Sequence, residues 1–201
     1  MTWIIEQLKQ YSDYTIQLFI SPTTLYQRFK EKTLKETVLE LFAPITFLTF
    51  IGALIARFTL DIYGAPNTLL LSAPAAFIIN FFGVFINSII VSALLVFSAF
   101  LLKLKTKIKN VFKTTLYVFG VLLTLDLLGQ LVELLLAIYG IQSIVISAVI
   151  KIVVFLIKLF YSSILLSAQV NSTASSAKIF AMTIAIIVFS TIVVLRIMGA
   201  F

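Results

Sequence analysis

Four charged side chains sit inside long apolar stretches of this chain, and their spacing is regular. Asp126 and Glu133 are seven residues apart, as are Lys151 and Lys158, and a seven-residue step returns to nearly the same face of a helix. The two stretches meet at Tyr139-Gly140-Ile141-Gln142, a turn signal. In an antiparallel hairpin, residues at equal depth have equal index sums. Asp126 matches Lys158 in this way, and Glu133 matches Lys151, so two ion pairs at two depths are predicted. Gln130, on the face of Asp126, adds a further hydrogen-bonding group.

Such a set can neutralise itself and fix the register of the hairpin, or it can carry protons or ions. Equal numbers of acids and bases favour pairing, and no histidine is present as a relay. Nor is there an internal repeat or a pair of glycine-broken helices of the transporter kind. Phosphate-cradling glycine motifs, zinc-binding helix motifs and serine-hydrolase elbows are also missing. We therefore read a non-enzyme with no catalytic residues. Without cysteine or histidine, disulfides, thiol chemistry and the common zinc sites are excluded, and no metal or cofactor is expected.

The elements that must position these charges are membrane helices. The chain is 61% hydrophobic and 11% charged, with a mean hydropathy of +1.15, and several apolar runs approach or exceed the ~20 residues that cross a ~30 Å hydrocarbon core. The fold class is all-α: a polytopic membrane protein with five transmembrane helices, preceded by two short amphipathic interfacial helices. Residues 1–36 form the interfacial segment and 37–201 the five-span domain, with spans at about 38–60, 73–102, 114–139, 143–168 and 179–198.

In the interfacial segment Ile4, Leu8, Tyr11, Thr15 and Leu18 make one helical stripe, which suits either a membrane surface with Trp3 at headgroup level or another subunit. A basic leader followed by a cleavable apolar core is not seen, so no signal peptide is expected. Ser21-Pro22 is a helix start, and the second helix is predicted to run through Glu36. It carries Arg28, Lys30, Lys32 and Lys35, which suit an anionic membrane surface or an ordinary solvated charge run at a membrane edge.

In the first span, Pro44 frees the carbonyl of Glu40, and the Glu40 carboxylate is read as snorkelling or paired with a loop. Asp61-Ile-Tyr-Gly-Ala-Pro66-Asn67 reads as a turn. Asn80 and Asn87 make a polar stripe on the second span with Gly83 close by; interhelical hydrogen bonds and close approach of a neighbouring helix are expected there, ahead of ligand binding. Ala181 and Ala185 mark a packing face on the fifth span. Asn171-Ser172-Thr173 matches a glycosylation acceptor pattern.

A net charge of +7 is compatible with nucleic acid, but the bases flank apolar runs and act as topology signals. No nucleic-acid partner is expected. Lys103, Lys105, Lys107, Lys109 and Lys113 follow the second span in one connection, the strongest such marker. Positive-inside asymmetry gives a multi-pass cell-membrane protein with a cytoplasmic N-terminus and an external C-terminus. The acceptor pattern would then be cytoplasmic and unused.

The organisation resembles the Yip family, five-span proteins named for interaction with Ypt/Rab GTPases, and especially its prokaryotic Yip-domain type. The residues carrying the resemblance are Ser21-Pro22, Leu25-Tyr26 and Phe29 before the first span. With them go Leu159-Phe-Tyr-Ser-Ser-Ile-Leu-Leu-Ser-Ala168 and Ser176-Ala177-Lys178 before the last. The likeness covers roughly residues 18–194. It implies a non-catalytic scaffold or adaptor in membrane organisation, trafficking or membrane-protein assembly, with the lipid bilayer and other membrane proteins or further copies of itself as partners. A GTPase partner is not carried over, because the long cytoplasmic region bearing an acidic-Leu-Tyr-Gly-Pro-like motif in eukaryotic members is missing; Asp61-Ile-Tyr-Gly-Ala-Pro66 is similar only in letters. The alternatives are an accessory subunit of a larger membrane complex and a small ion- or proton-coupled transporter built on Asp126, Glu133, Lys151 and Lys158.

Overall fold

The computed structural model describes residues 2–64, 72–141, 144–170 and 175–198. Expectations placed on the side chains of Trp3, Ile4 and Leu8, on Pro66 and Asn67, on Gln142 and on Asn171-Ser172-Thr173 lie outside what is described. The elements are α1 (Thr2–Ile20), α2 (Pro22–Phe29), α3 (Leu34–Ile62), α4 (Ala73–Leu101), α5 (Ile108–Val121), α6 (Leu123–Ile138), α7 (Ile144–Gln169) and α8 (Ser175–Ile197). Among the described residues, five segments are long and apolar enough to cross a membrane, α5 and α6 together forming the third. The chain is an all-α, polytopic protein of membrane type.

The second helix ends at Phe29, short of Glu36, because Thr33 and Glu36 form a capping box that starts α3. Glu36 N–H donates to Thr33 Oγ1 at 3.2 Å, and Thr33 N–H donates to the Glu36 carboxylate at 2.6 Å. Ser21 stands at the cap position of α2 without a side-chain cap bond, and Pro22 occupies the first turn. At the other end of α4, Lys103 adopts a left-handed conformation (φ 57°). Lys103 N–H reaches Phe100 O at 2.9 Å and Leu104 N–H reaches Ala99 O at 2.8 Å, the bond pair that closes a helix with a left-handed residue.

The third span is a broken helix. It begins at Ile108, ahead of the apolar stretch near Thr114, and is interrupted at Leu122. From Lys113 to Leu123 every residue of this segment is buried, so α5 is the axis of the bundle, flanked by α3, α4 and α7. Beyond the break, α6 packs against α3 and α7, while α4 keeps to α3, α5 and α8. The break thus opens a space between α4 and the α6–α7 pair.

The stripe on α1 faces this chain's own bundle. Tyr11, Tyr14 and Leu18 are buried, with α1 lying against α2, α3 and α5, whereas Ile16, Phe19 and Ile20 remain exposed. Tyr11 Oη lies 2.9 Å from Gly120 O and 2.7 Å from Val121 O, while the Thr15 hydroxyl donates to its own helix at Tyr11 O (3.0 Å) with Val121 O at 3.3 Å. Carbonyls released at the end of α5 are satisfied by hydroxyls from α1. Buried backbone acceptors need such partners.

Candidate functional site

Asp126, Gln130 and Glu133 project from α6, and Lys151 and Lys158 from α7. Lys158 Nζ donates to Asp126 Oδ2, and Lys151 Nζ lies 3.4 Å from Glu133 Oε1. Ser147 Oγ also donates to Glu133 Oε1. The two pairs differ in setting: Lys158 is buried and lies 5.1 Å from the Phe119 ring centroid, whereas the Lys151 side chain is 70% exposed. A desolvated ammonium that has lost water gains from both the carboxylate and the ring face.

Asp126, Lys158 and Lys151 border a cavity of about 360 Å³ beside the third-span break. One wall is Asp126, Gln130, Lys151 and Lys158; the other is Asn80, Gly83 and Asn87 of α4, with Thr49 and Gly52 of α3 between them and Phe119 and Leu123 lining the cavity from the third span. The Thr49 hydroxyl is taken up by its own helix, donating toward Ile45 O and Thr46 O.

Three expectations are corrected here. Asn80 and Asn87 make no side-chain hydrogen bond among the described residues; they line the cavity. Gly83 does not admit a neighbouring helix, since a Cβ there would meet nothing within 4 Å. Gln130 does not support the ion pair: its Oε1 is buried without a partner, and a Cβ on Gly52 would lie 2.6 Å from it. All three accord with the placement of α6, which packs on α3 and α7 and not closely on α4.

The basic groups expected at the membrane surface divide. Arg28, Lys30, Lys35, Lys103, Lys105, Lys107 and Lys109 are exposed. Lys113 is buried and donates to Lys30 O and Lys32 O at 2.8 Å each and to Phe29 O at 3.3 Å, capping the end of α2. Lys32 is half-buried and pairs with Glu40, 2.8 and 2.7 Å from its two oxygens. Glu40 also accepts from Tyr14 Oη and from Gln10 Nε2, the latter at 3.1 Å, so its carboxylate is the loop-paired one. Burial opposes the charge on Lys32, but the bond and charge of Glu40 outweigh it and hold the ammonium above its ordinary value. Burial, then the Glu40 carboxylate, pushes the Tyr14 phenol up.

Ala181 and Ala185 are exposed, and α8 is held instead through Thr183, whose hydroxyl lies 2.7 Å from Ser98 Oγ, and through Phe180 edge-on to Phe160.

Fold and site together define a multi-pass helical membrane protein with internally paired charges beside a polar cavity. Comparison of the chain with protein-family models, curated proteins and solved structures finds no match.

Proposed function

We propose that this chain is a non-catalytic membrane scaffold or adaptor of Yip-domain type, with the N-terminus in the cytoplasm and the C-terminus outside. The observation that carries the reading is the attachment of α1 and α2 to the bundle. Lys113, Tyr11 and the Tyr14–Glu40–Lys32 cluster tie both helices to the spans, and Lys9, Asp13, Arg28, Lys30 and Glu31 on these anchored helices and the turn after them are exposed. A surface held in one shape costs little ordering when a partner docks. Other membrane proteins or further copies of the chain are its partners.

The test is copurification from mild detergent. Arg28→Glu with Lys30→Glu should lose a partner that the wild type retains, while Lys178→Glu on α8 should not. A chain that runs alone counts against the reading. A reporter active only in the cytoplasm should be silent at the C-terminus.

The cavity favours a second reading, a small ion- or proton-coupled transporter. Flux in liposomes that is lost with Glu133→Gln would establish it.

A further inference from the structure

The cavity holds more polar groups than the protein itself satisfies. Asn80 and Asn87 are without side-chain partners among the described residues, the Gln130 oxygen is buried and unpaired, and Lys151 is held by a single loose contact at 3.4 Å. At membrane depth an unsatisfied polar group is costly, and a site of about 360 Å³ is within the ~300–1,000 Å³ range of small-ligand pockets.

Charge narrows the ligand. Asp126, Lys151 and Lys158 line the space and Glu133 stands beside Lys151 at 3.4 Å, so the charges there balance; a lone anion or cation would leave a net charge, whereas a zwitterion meets both signs.

The mouth narrows its source. Ile79 on the α4 wall is 64% exposed, opposite the exposed Lys151, and α8, which joins α4 at Thr183, leaves the bundle beyond Ile187: Val188, Phe189, Ile192 and Val194 are all exposed. α4 and α7 are not closely packed on one another, which leaves a sideways exit between them in that half.

We infer that the cavity binds the zwitterionic headgroup of a bilayer lipid, a phosphate linked to an amine, with the acyl chains leaving between α4 and α7. Lys151 meets the phosphate, Asp126 meets the amine, and the amides of Asn80 and Asn87 complete the shell. Gly83 keeps the space open.

The test is lipid titration of the delipidated full chain, read by native mass spectrometry, using palmitoyl-oleoyl phosphatidylethanolamine, the matching phosphatidylglycerol, and chain-free glycerophosphoethanolamine. Wild type should retain phosphatidylethanolamine about tenfold more tightly than phosphatidylglycerol, and Gly83→Leu should weaken it by about tenfold. Gly83→Leu fills open space, so its thermal midpoint should hold; if it does not fold, Asn87→Leu decides. Equal retention of both lipids, or binding untouched by the decisive substitution, would overturn the site. Equally tight binding of glycerophosphoethanolamine would overturn the lipid source.

Discussion

Asp126 and Lys158 share one ion pair but not one environment: the lysine side chain is 7% exposed and the aspartate side chain 36%. Both line the cavity, but the aspartate is open to it while the lysine is almost wholly covered. Removing the two partners therefore has unequal effects. Asp126→Asn strands a buried ammonium and should cost about 3–5 kcal/mol, whereas Lys158→Leu leaves a carboxylate that the cavity can solvate and should cost less. Glu133→Gln, whose partner Lys151 is held only at 3.4 Å, should cost less than Asp126→Asn. Unfolding in mild detergent with increasing denaturant ranks the three; equal losses for the first two contradict the asymmetry.

Gly52 and Gln130 hold α3 against α6. A methyl group on Gly52 would press on the end of the glutamine side chain at 2.6 Å, so Gly52→Ala should destabilise by about 1 kcal/mol, the usual size of a mild overpacking cost. Gln130→Ala should remove that cost, and a double-mutant cycle measures the coupling. Independent, additive effects would show that the two residues do not meet.

Lys103 closes α4 in a conformation that favours glycine. Lys103→Gly should raise stability by about 0.5–1 kcal/mol. A thermal midpoint that falls instead would place the value of this position in its charge.

The attachment of α1 and α2 should weaken in alkali. The Lys32 ammonium is held above its ordinary 10.5, so its contribution is complete below that value and is lost as pH rises through the folded one. The Tyr14 phenol is raised above 10.0, and burial raises Tyr11 as well; each binds its proton more tightly when folded, so stability falls above about pH 10. Protease access to the turn at 30–33, followed between about pH 8 and 11, should rise only in the upper part of that range. Glu40→Gln should flatten the rise.

The spans and the α6–α7 register were legible because both are local properties. Hydropathy marks a crossing segment wherever it packs, and a seven-residue repeat puts Asp126 with Glu133 and Lys151 with Lys158 on single faces. The Thr33-x-x-Glu36 capping box was equally legible, yet the charges around it drew the reading of a longer second helix. Lys113 was not legible as a capping group: its partners at Phe29, Lys30 and Lys32 lie more than eighty residues away in the chain, and its neighbours in sequence are exposed lysines.

By itself the sequence determined five apolar helices and the pairing of Asp126 with Lys158 and Glu133 with Lys151, since helical period and equal depth leave those charges no better partners. Tertiary structure decided what the other polar groups face. Beyond the break at Leu122, where Tyr11 from the distant α1 meets the last carbonyls of α5, α6 packs on α3 and α7 and not closely on α4. Asn80, Gly83 and Asn87 thus border a cavity instead of a helix, because a face becomes a contact or a void only when its neighbour is set in place.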